Sequence, residues 1–253
     1  MDIQNIEQIK AIKLQMGVKF NNGIKFHSGR FLNADEQLQL FKCIDFDSNT
    51  DEFVQLEAAT ALNIHGNEYD KKKSIKILKK LADKGNVNAI NQYAQALRFG
   101  FGVEINSKEA AFYMKKAADL GDRLSMKMYS DMLHEGIGIP VNIKEAYKYI
   151  KKAADLGQTE AMFNYGNALI EGKQIEMNKN EGKRYLKMAA LSGNPEAMMR
   201  YGMLLGIEDK KEESIGFIKS AADLDCKEAM YLYGIMLMNG IGVKQNKEMA
   251  AFY

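Results

Sequence analysis

The sequence predicts an all-α chain, a right-handed α-solenoid of about six and a half helix-turn-helix repeats. A fixed internal period, apolar residues at helical spacing and a near absence of proline support this reading. Lys-Lys-Ala-Ala-Asp-Leu-Gly stands at 115–121 and again at 151–157; Lys-Met-Ala-Ala-Leu-Ser-Gly follows at 187–193 and Lys-Ser-Ala-Ala-Asp-Leu-Asp at 219–225. Tyrosine recurs at 93, 129, 165, 201 and 233, and leucine at 97, 133, 169, 205 and 237, with the same steps of 36, 36, 36 and 32 residues. Such a period marks one supersecondary unit that has to stack on its neighbours to bury its apolar face. Only Pro140 and Pro195 interrupt the helical pattern, and Pro195 follows Asn194, where proline suits a helix start.

Each period divides into two helices. In 158–193 the first carries Ala161, Met162, Tyr165, Ala168 and Leu169 on one stripe and stops at Gly172. The second begins at an asparagine followed three residues later by glutamate (Asn106 and Glu109, Asn142 and Glu145, Asn178 and Glu181), the spacing of a capping box. Tyr113, Tyr149, Tyr185 and Phe217 supply its aromatic core residue, and paired alanines allow close helix approach. Gly85, Gly121, Gly157 and Gly193 fall where a left-handed residue closes a helix. The four-residue deletion lies between Leu205 and Phe217.

The predicted organisation is a degenerate N-terminal helical repeat at 1–48 and then repeats at 49–85, 86–121, 122–157, 158–193, 194–225 and 226–253, the last incomplete. The segment 16–24 parallels 233–241, and Asn33 with Glu36 repeats the capping spacing. A β-hairpin competes there, because Val18, Phe20, Ile24 and Phe26 alternate around Asn22-Gly23. At the other end Ala250-Ala251-Phe252-Tyr253 matches Ala110-Ala111-Phe112-Tyr113, so the chain is expected to stop inside a helix, either as a piece of a longer protein or with a frayed, uncovered end.

Gly-Phe-Gly-Val at 100–103, Gly-Ile-Gly-Val at 240–243, Lys-Glu-Ala at 108–110 and 144–146, and the Lys-Ala-Ala-Asp closure resemble the Sel-1-like repeat family, which is related to tetratricopeptide repeats. The resemblance covers residues 86–253. Gln174 in place of a loop glycine, the lost loop after Leu205 and Asp225 in place of the closing glycine depart from it. It implies an interaction scaffold or adaptor that binds a peptide or helix in a concave groove lined by the first helix of each repeat. Carried onto this chain, the groove residues are Asn91, Gln95 and Arg98; Lys127, Asp131 and His134; Phe163, Asn167 and Ile170; then Met199, Met203, Tyr231, Ile235 and Met238. That wall runs from polar to apolar. A methionine-rich surface suits an adaptable helix site, and cover by further repeats or by a second copy of the chain is the competing reading.

The remaining classes are weighed down by composition. Thirty-five Lys and Arg against 33 Asp and Glu leave a net charge of +2, too little for a phosphate-seeking field, so no nucleic-acid partner is expected. Cys43 and Cys226 form neither a disulfide framework nor a metal set, and a reducing, cytoplasmic location is expected. The N-terminus reads as acidic and polar rather than as a signal peptide, and no apolar run approaches the ~20 residues a membrane helix needs. The Gly-x-Gly loops follow helix C-termini, whereas phosphate cradles precede helix N-termini, so they read as helix stops. His134-Glu135, with only His27 and His65 elsewhere, signals neither metal nor catalysis, and no cofactor is expected. Cys226 opens a helix, where the dipole could lower a thiol pKa, although a small buried residue is the simpler reading. The Lys115-Lys116 and Lys151-Lys152 pairs read as a solvated outer face. No acid, base and nucleophile stand at usable spacing, so the chain is expected not to be an enzyme; a regulatory repeat segment of a larger enzyme is the alternative.

Overall fold

The computed structural model describes Phe41 and residues 52–253. The hairpin-or-repeat question at 16–26, the Asn33 and Glu36 pair, and Cys43 lie outside the described residues. Every regular element among the described residues is an α-helix, as expected, and the twelve follow one another as antiparallel pairs. The chain divides into two compact units: residues up to Leu120 with Ile137–Ile139, and Gly121–Gly136 with Pro140–Tyr253.

The first unit contains α1 (Glu52–His65), α2 (Glu68–Asp83), α3 (Val87–Phe99) and α4 (Ser107–Asp119). The second contains α5 (Arg123–Glu135), α6 (Ile143–Asp155), α7 (Thr159–Glu171), α8 (Lys179–Leu191), α9 (Pro195–Ile207), α10 (Lys211–Asp223), α11 (Lys227–Asn239) and α12 (Lys247–Phe252). Within a pair, the tyrosine of the first helix meets the ring of the second edge to face. The ring centroids of Tyr93–Tyr113 and Tyr129–Tyr149 lie 4.9 Å apart, and those of Tyr165–Tyr185, Tyr201–Phe217 and Tyr233–Tyr253 lie 5.0 Å apart. Each such pair contributes ~0.5–1.5 kcal/mol beyond the area it buries. The tyrosine ladder is therefore core, and the alanine pairs of the second helices are fully or almost fully buried beside it.

The helix boundaries follow the capping chemistry with one correction. Asn106, Asn142 and Asn178 do accept the amides of Glu109, Glu145 and Glu181 at 3.1 Å. The glutamates, however, receive the asparagine side-chain amide at 3.1–3.2 Å rather than the backbone N–H. That backbone N–H is already donated to the preceding first helix, from Asn106 to Leu97, Asn142 to Leu133 and Asn178 to Leu169, each at 2.8 Å. The cap thus ties the connection to the helix before it. The full reciprocal box sits instead at Asn67 and Asp70, ahead of α2.

Close backbone approach sets the loops and crossings. A Cβ on Gly138 would fall 2.0 Å from the Ser107 carbonyl oxygen, so this loop glycine is seated directly on the start of α4, inside the first unit. In the second unit a Cβ on Gly182 would fall 2.7 Å from the Gly166 carbonyl oxygen, so α7 and α8 cross through two facing glycines.

Candidate functional site

The first helices carry every predicted groove residue, and their surroundings differ from pair to pair. In the first unit Asn91 is buried and accepts a hydrogen bond from the Gln95 side-chain amide, while Arg98 is half-buried with its guanidinium 5.1 Å from the Phe99 ring. These side chains are engaged with one another and with their own helix.

In the second unit α5 presents an ion-pair set. The Lys127 ammonium lies 3.0 Å from Asp131 and 2.6 Å from Glu160 of α7. Burial pulls the lysine down, but the hydrogen bonds to Glu160 and Asp131 outweigh it and hold Lys127 above its ordinary value. Burial pushes Asp131 up, and Glu160 and Glu135 add to that against the pull of Lys127. One ammonium thus serves two carboxylates. His134 is exposed and meets the Tyr147 ring edge-on at 6.5 Å.

On α7, Phe163 is half-buried and forms part of a surface cavity of about 680 Å³ along the starts of α5, α7 and α9, with Leu124, Glu160, Pro195 and Glu196 around it. Asn167 is half-buried. Ile170 lies against α8, where a Cβ on Gly182 would fall 2.7 Å from its Cγ1.

The last two first helices change character. Met199 is half-buried and packs, with Met198, against the cluster built by Ile218, Ala221 and Ala222 of α10, Cys226, and Ala229, Tyr233, Met236 and Leu237 of α11. Met203 is 46% exposed, Tyr231 72% and Met238 42%. Tyr231, Ile235 and Met238 come together in a cavity of about 440 Å³ between α11 and α12, completed by Met230, Gly234, Ala250 and Tyr253. One member of the apolar row was not foreseen. Ile207, four residues after Met203 on α9, is 82% exposed, and the i, i+4 spacing from Met199 through Met203 could have found it.

The other candidate chemistry resolves simply. Burial pushes the Cys226 thiol up, more than the Ala229 amide lowers it, so this buried cysteine is no activated thiolate. Among the described residues no group of three or more His, Cys, Asp or Glu could hold a metal ion, and no helix is long and apolar enough to cross a membrane.

Comparison with known proteins agrees with this architecture. The Sel1 repeat family matches residues 62–86, 87–122 and 124–158, and the family of plant tetratrico peptide repeats matches 173–252. No curated protein matches the chain. Among solved structures, a Sel1 repeat protein from Oxalobacter formigenes superposes with a TM-score of 0.74 at 21% identity, over 87% of this chain and 97% of that one. The immunity protein PA5088 from Pseudomonas aeruginosa follows with a TM-score of 0.49 at 18% identity, over 88% of this chain and 79% of that one. The protective antigen c5321 of uropathogenic Escherichia coli, described as displaying an SLR fold, gives 0.48 at 18% identity, over 87% of this chain and 60% of that one. Helix pairs, ring contacts, cap positions and family matches converge: the described residues form a tandem array of tetratricopeptide-type helical repeats, with Sel1 repeats over residues 62–158.

Proposed function

We propose that the chain is a protein-interaction scaffold that holds a helix or peptide of a partner against the first-helix face of α9 and α11. The observation that carries this reading is the exposed apolar row Met203, Ile207, Tyr231 and Met238. At the positions of Met203 and Ile207, α5 presents Asp131 and Glu135, and α7 presents Asn167 and Glu171. The repeat therefore accommodates polar side chains there, and the apolar ones are not demanded by folding. Large exposed apolar patches with polar surroundings mark contact surfaces, and flexible methionines adapt to differing partners. Within the second unit, Lys127, Asp131 and His134 of α5 are read as the polar, orienting flank of that surface, with Phe163, Asn167 and Ile170 of α7 between.

The test is affinity capture from native extract with the wild-type chain and a Met203→Glu, Ile207→Glu variant of unchanged helicity by circular dichroism. Loss of specific partners from the variant is expected. An identical captured set for both chains overturns the reading.

A further inference from the structure

We infer that the cavity along the starts of α5, α7 and α9 binds an extended peptide segment of a partner protein that presents an arginine, an aliphatic residue and an acidic residue at alternate positions. This site stands apart from the exposed apolar row of α9 and α11 and does not depend on it.

A neighbouring junction of the same unit shows what this cavity lacks. Lys127 and Phe163 occupy one position of successive first helices, and so do Glu160 and Glu196, each pair 36 residues apart. Between α5 and α7 the Lys127 ammonium lies 2.6 Å from Glu160. Between α7 and α9 the place of that lysine is taken by Phe163, and Glu196 is exposed with no cation partner among the described residues. Phe163 and Glu196 line the same cavity. An aromatic ring with a carboxylate that has no cation of its own is a seat for one supplied from outside. A guanidinium suits it best, because its fork matches the carboxylate while its plane stacks on the ring.

The α5 side of the cavity carries the opposite charge. Arg123 has no carboxylate partner among the described residues and reaches over the turn before α7: a Cβ on Gly157 would fall 3.9 Å from one of its guanidinium nitrogens. An acidic side chain of the ligand belongs there.

The surroundings are apolar where the repeat does not demand it. Leu124 stands at the position that Glu160, Glu196 and Glu228 fill in the later repeats, and it is more than half exposed. Leu156 and Leu191 are also more than half exposed, each one residue before a residue that lines the cavity. Such leucines, with Pro195, cover an aliphatic side chain placed between the two charges. The Asn164 carboxamide lines the cavity as well and makes no hydrogen bond among the described residues, so it is open to a peptide backbone. A volume of about 680 Å³ holds a short segment of chain. Packed helices lie ~8–10 Å apart, and five extended residues carry three same-side side chains over about 13 Å, a length that crosses one such step.

The test uses the whole chain and a capped, fluorescently labelled peptide with arginine, leucine and glutamate at alternate positions and serine between them, made in both chain directions. Fluorescence anisotropy is expected to show saturable binding of one direction, weakened at least fivefold by Leu124→Glu, a side chain the later repeats already carry at this place. Glu196→Arg should weaken binding as much, and exchanging the peptide arginine for glutamate should restore it to within twofold, a rescue that a structural role of Glu196 would not produce. Met203→Glu with Ile207→Glu should leave peptide binding unchanged; loss of binding in that variant would put the peptide on the other surface and overturn the inference. So would no saturable binding in either direction, indifference to Leu124→Glu, or failure of the charge exchange. A wild-type dimer in sedimentation velocity that Leu124→Glu dissolves overturns it too, because a second copy would then occupy the cavity.

Discussion

The pairs α7–α8 and α9–α10 are built on the same plan but closed by different means. In the first, Gly172 caps α7 in the left-handed region, Asn178 caps α8, and the Tyr185 hydroxyl donates to Asp155 of the preceding second helix. In the second, the loop has shrunk to Glu208-Asp209-Lys210, Asp209 takes a positive φ of 62°, and Lys210 offers α10 no side-chain cap. Leu191 stands where Asp155 and Asp223 stand, and Phe217 stands where Tyr185 and Tyr253 stand. The Tyr113–Asp83 and Tyr253–Asp223 bonds recur at 3.1 and 2.5 Å, so both halves of this link have been exchanged for apolar groups together at one junction. The edge-to-face ring contact nevertheless survives there, at 5.0 Å and 86°. The repeat therefore keeps the ring packing and can dispense with the hydroxyl-to-carboxylate link, whose carboxylates, Asp155 and Asp223, are exposed to solvent so that the bond contributes little.

This comparison can be broken most forcefully at the helix crossing. Gly182→Val should destabilise the second unit by roughly 2–3 kcal/mol, because the new side chain would collide with the Gly166 carbonyl and Ile170. Gly216→Ala on the exposed face of α10, where a Cβ meets nothing within 4 Å, should stabilise by up to about 1 kcal/mol. Urea unfolding followed by circular dichroism reads both.

A smaller effect is expected at the polar link. Tyr185→Phe should cost about 1 kcal/mol, since the hydroxyl lies between Asp155 and Lys151 and the carboxylate is partly solvated. Conversely, Leu191→Asp combined with Phe217→Tyr should be more stable than the sum of the single changes by roughly 0.5–1 kcal/mol. Zero coupling in that double-mutant cycle would show that the α8–α10 junction no longer has room for the bond.

The irregular closures give the next step down. Asp225 holds a φ of 60° at the place that Gly157 and Gly193 fill in the earlier repeats. Asp225→Gly and Asp209→Gly should each raise stability by a few tenths of a kcal/mol to about 1 kcal/mol, because they remove left-handed strain at the cost of a looser unfolded chain.

The smallest effects are those of pH. Burial, and then the charge of Glu109, pushes Tyr93 from 10.0 up to about 12. Folding favours its neutral form, so that contribution is complete below pH 10 and is lost as pH rises toward 12. Ultraviolet titration of Tyr93→Phe against wild type should remove one late-ionising phenol. Burial alone would raise Asp155, but the hydrogen bonds from Lys151 and Tyr185 outweigh it and hold the carboxyl below its ordinary value. Its contribution is present above the usual carboxylate range and fades as pH falls through the lowered value; in Asp155→Asn that acid limb should flatten.

Much of the architecture was legible because it rests on short-range rules repeated many times. A tyrosine at every step of 36, an asparagine at helix starts and a glycine at helix stops each report a local conformational need, and repetition separates them from chance. One reading of the same kind went astray. The glutamates three residues after the caps did not close reciprocal boxes, because Asn106, Asn142 and Asn178 give their backbone N–H to the preceding helix, a contact invisible to spacing alone. Cys226, in contrast, is the small buried residue of the simpler reading, and burial pushes its thiol up.

The candidate surface was legible only in part. That Met199, Met203, Tyr231, Ile235 and Met238 share first-helix positions follows from the period, but which of them is open does not: Met199 packs against the cluster of α10 and α11, Ile207 stands clear, and Ile170 turns onto α8. Helix content, pairing, caps and the aromatic ladder were settled by residue chemistry within one repeat, since each depends on neighbours a few positions away. Exposure, the two cavities and the paired loss of the Asp–Tyr link were decided by tertiary packing, because whether a side chain is covered depends on a helix one repeat away and on how closely two backbones cross.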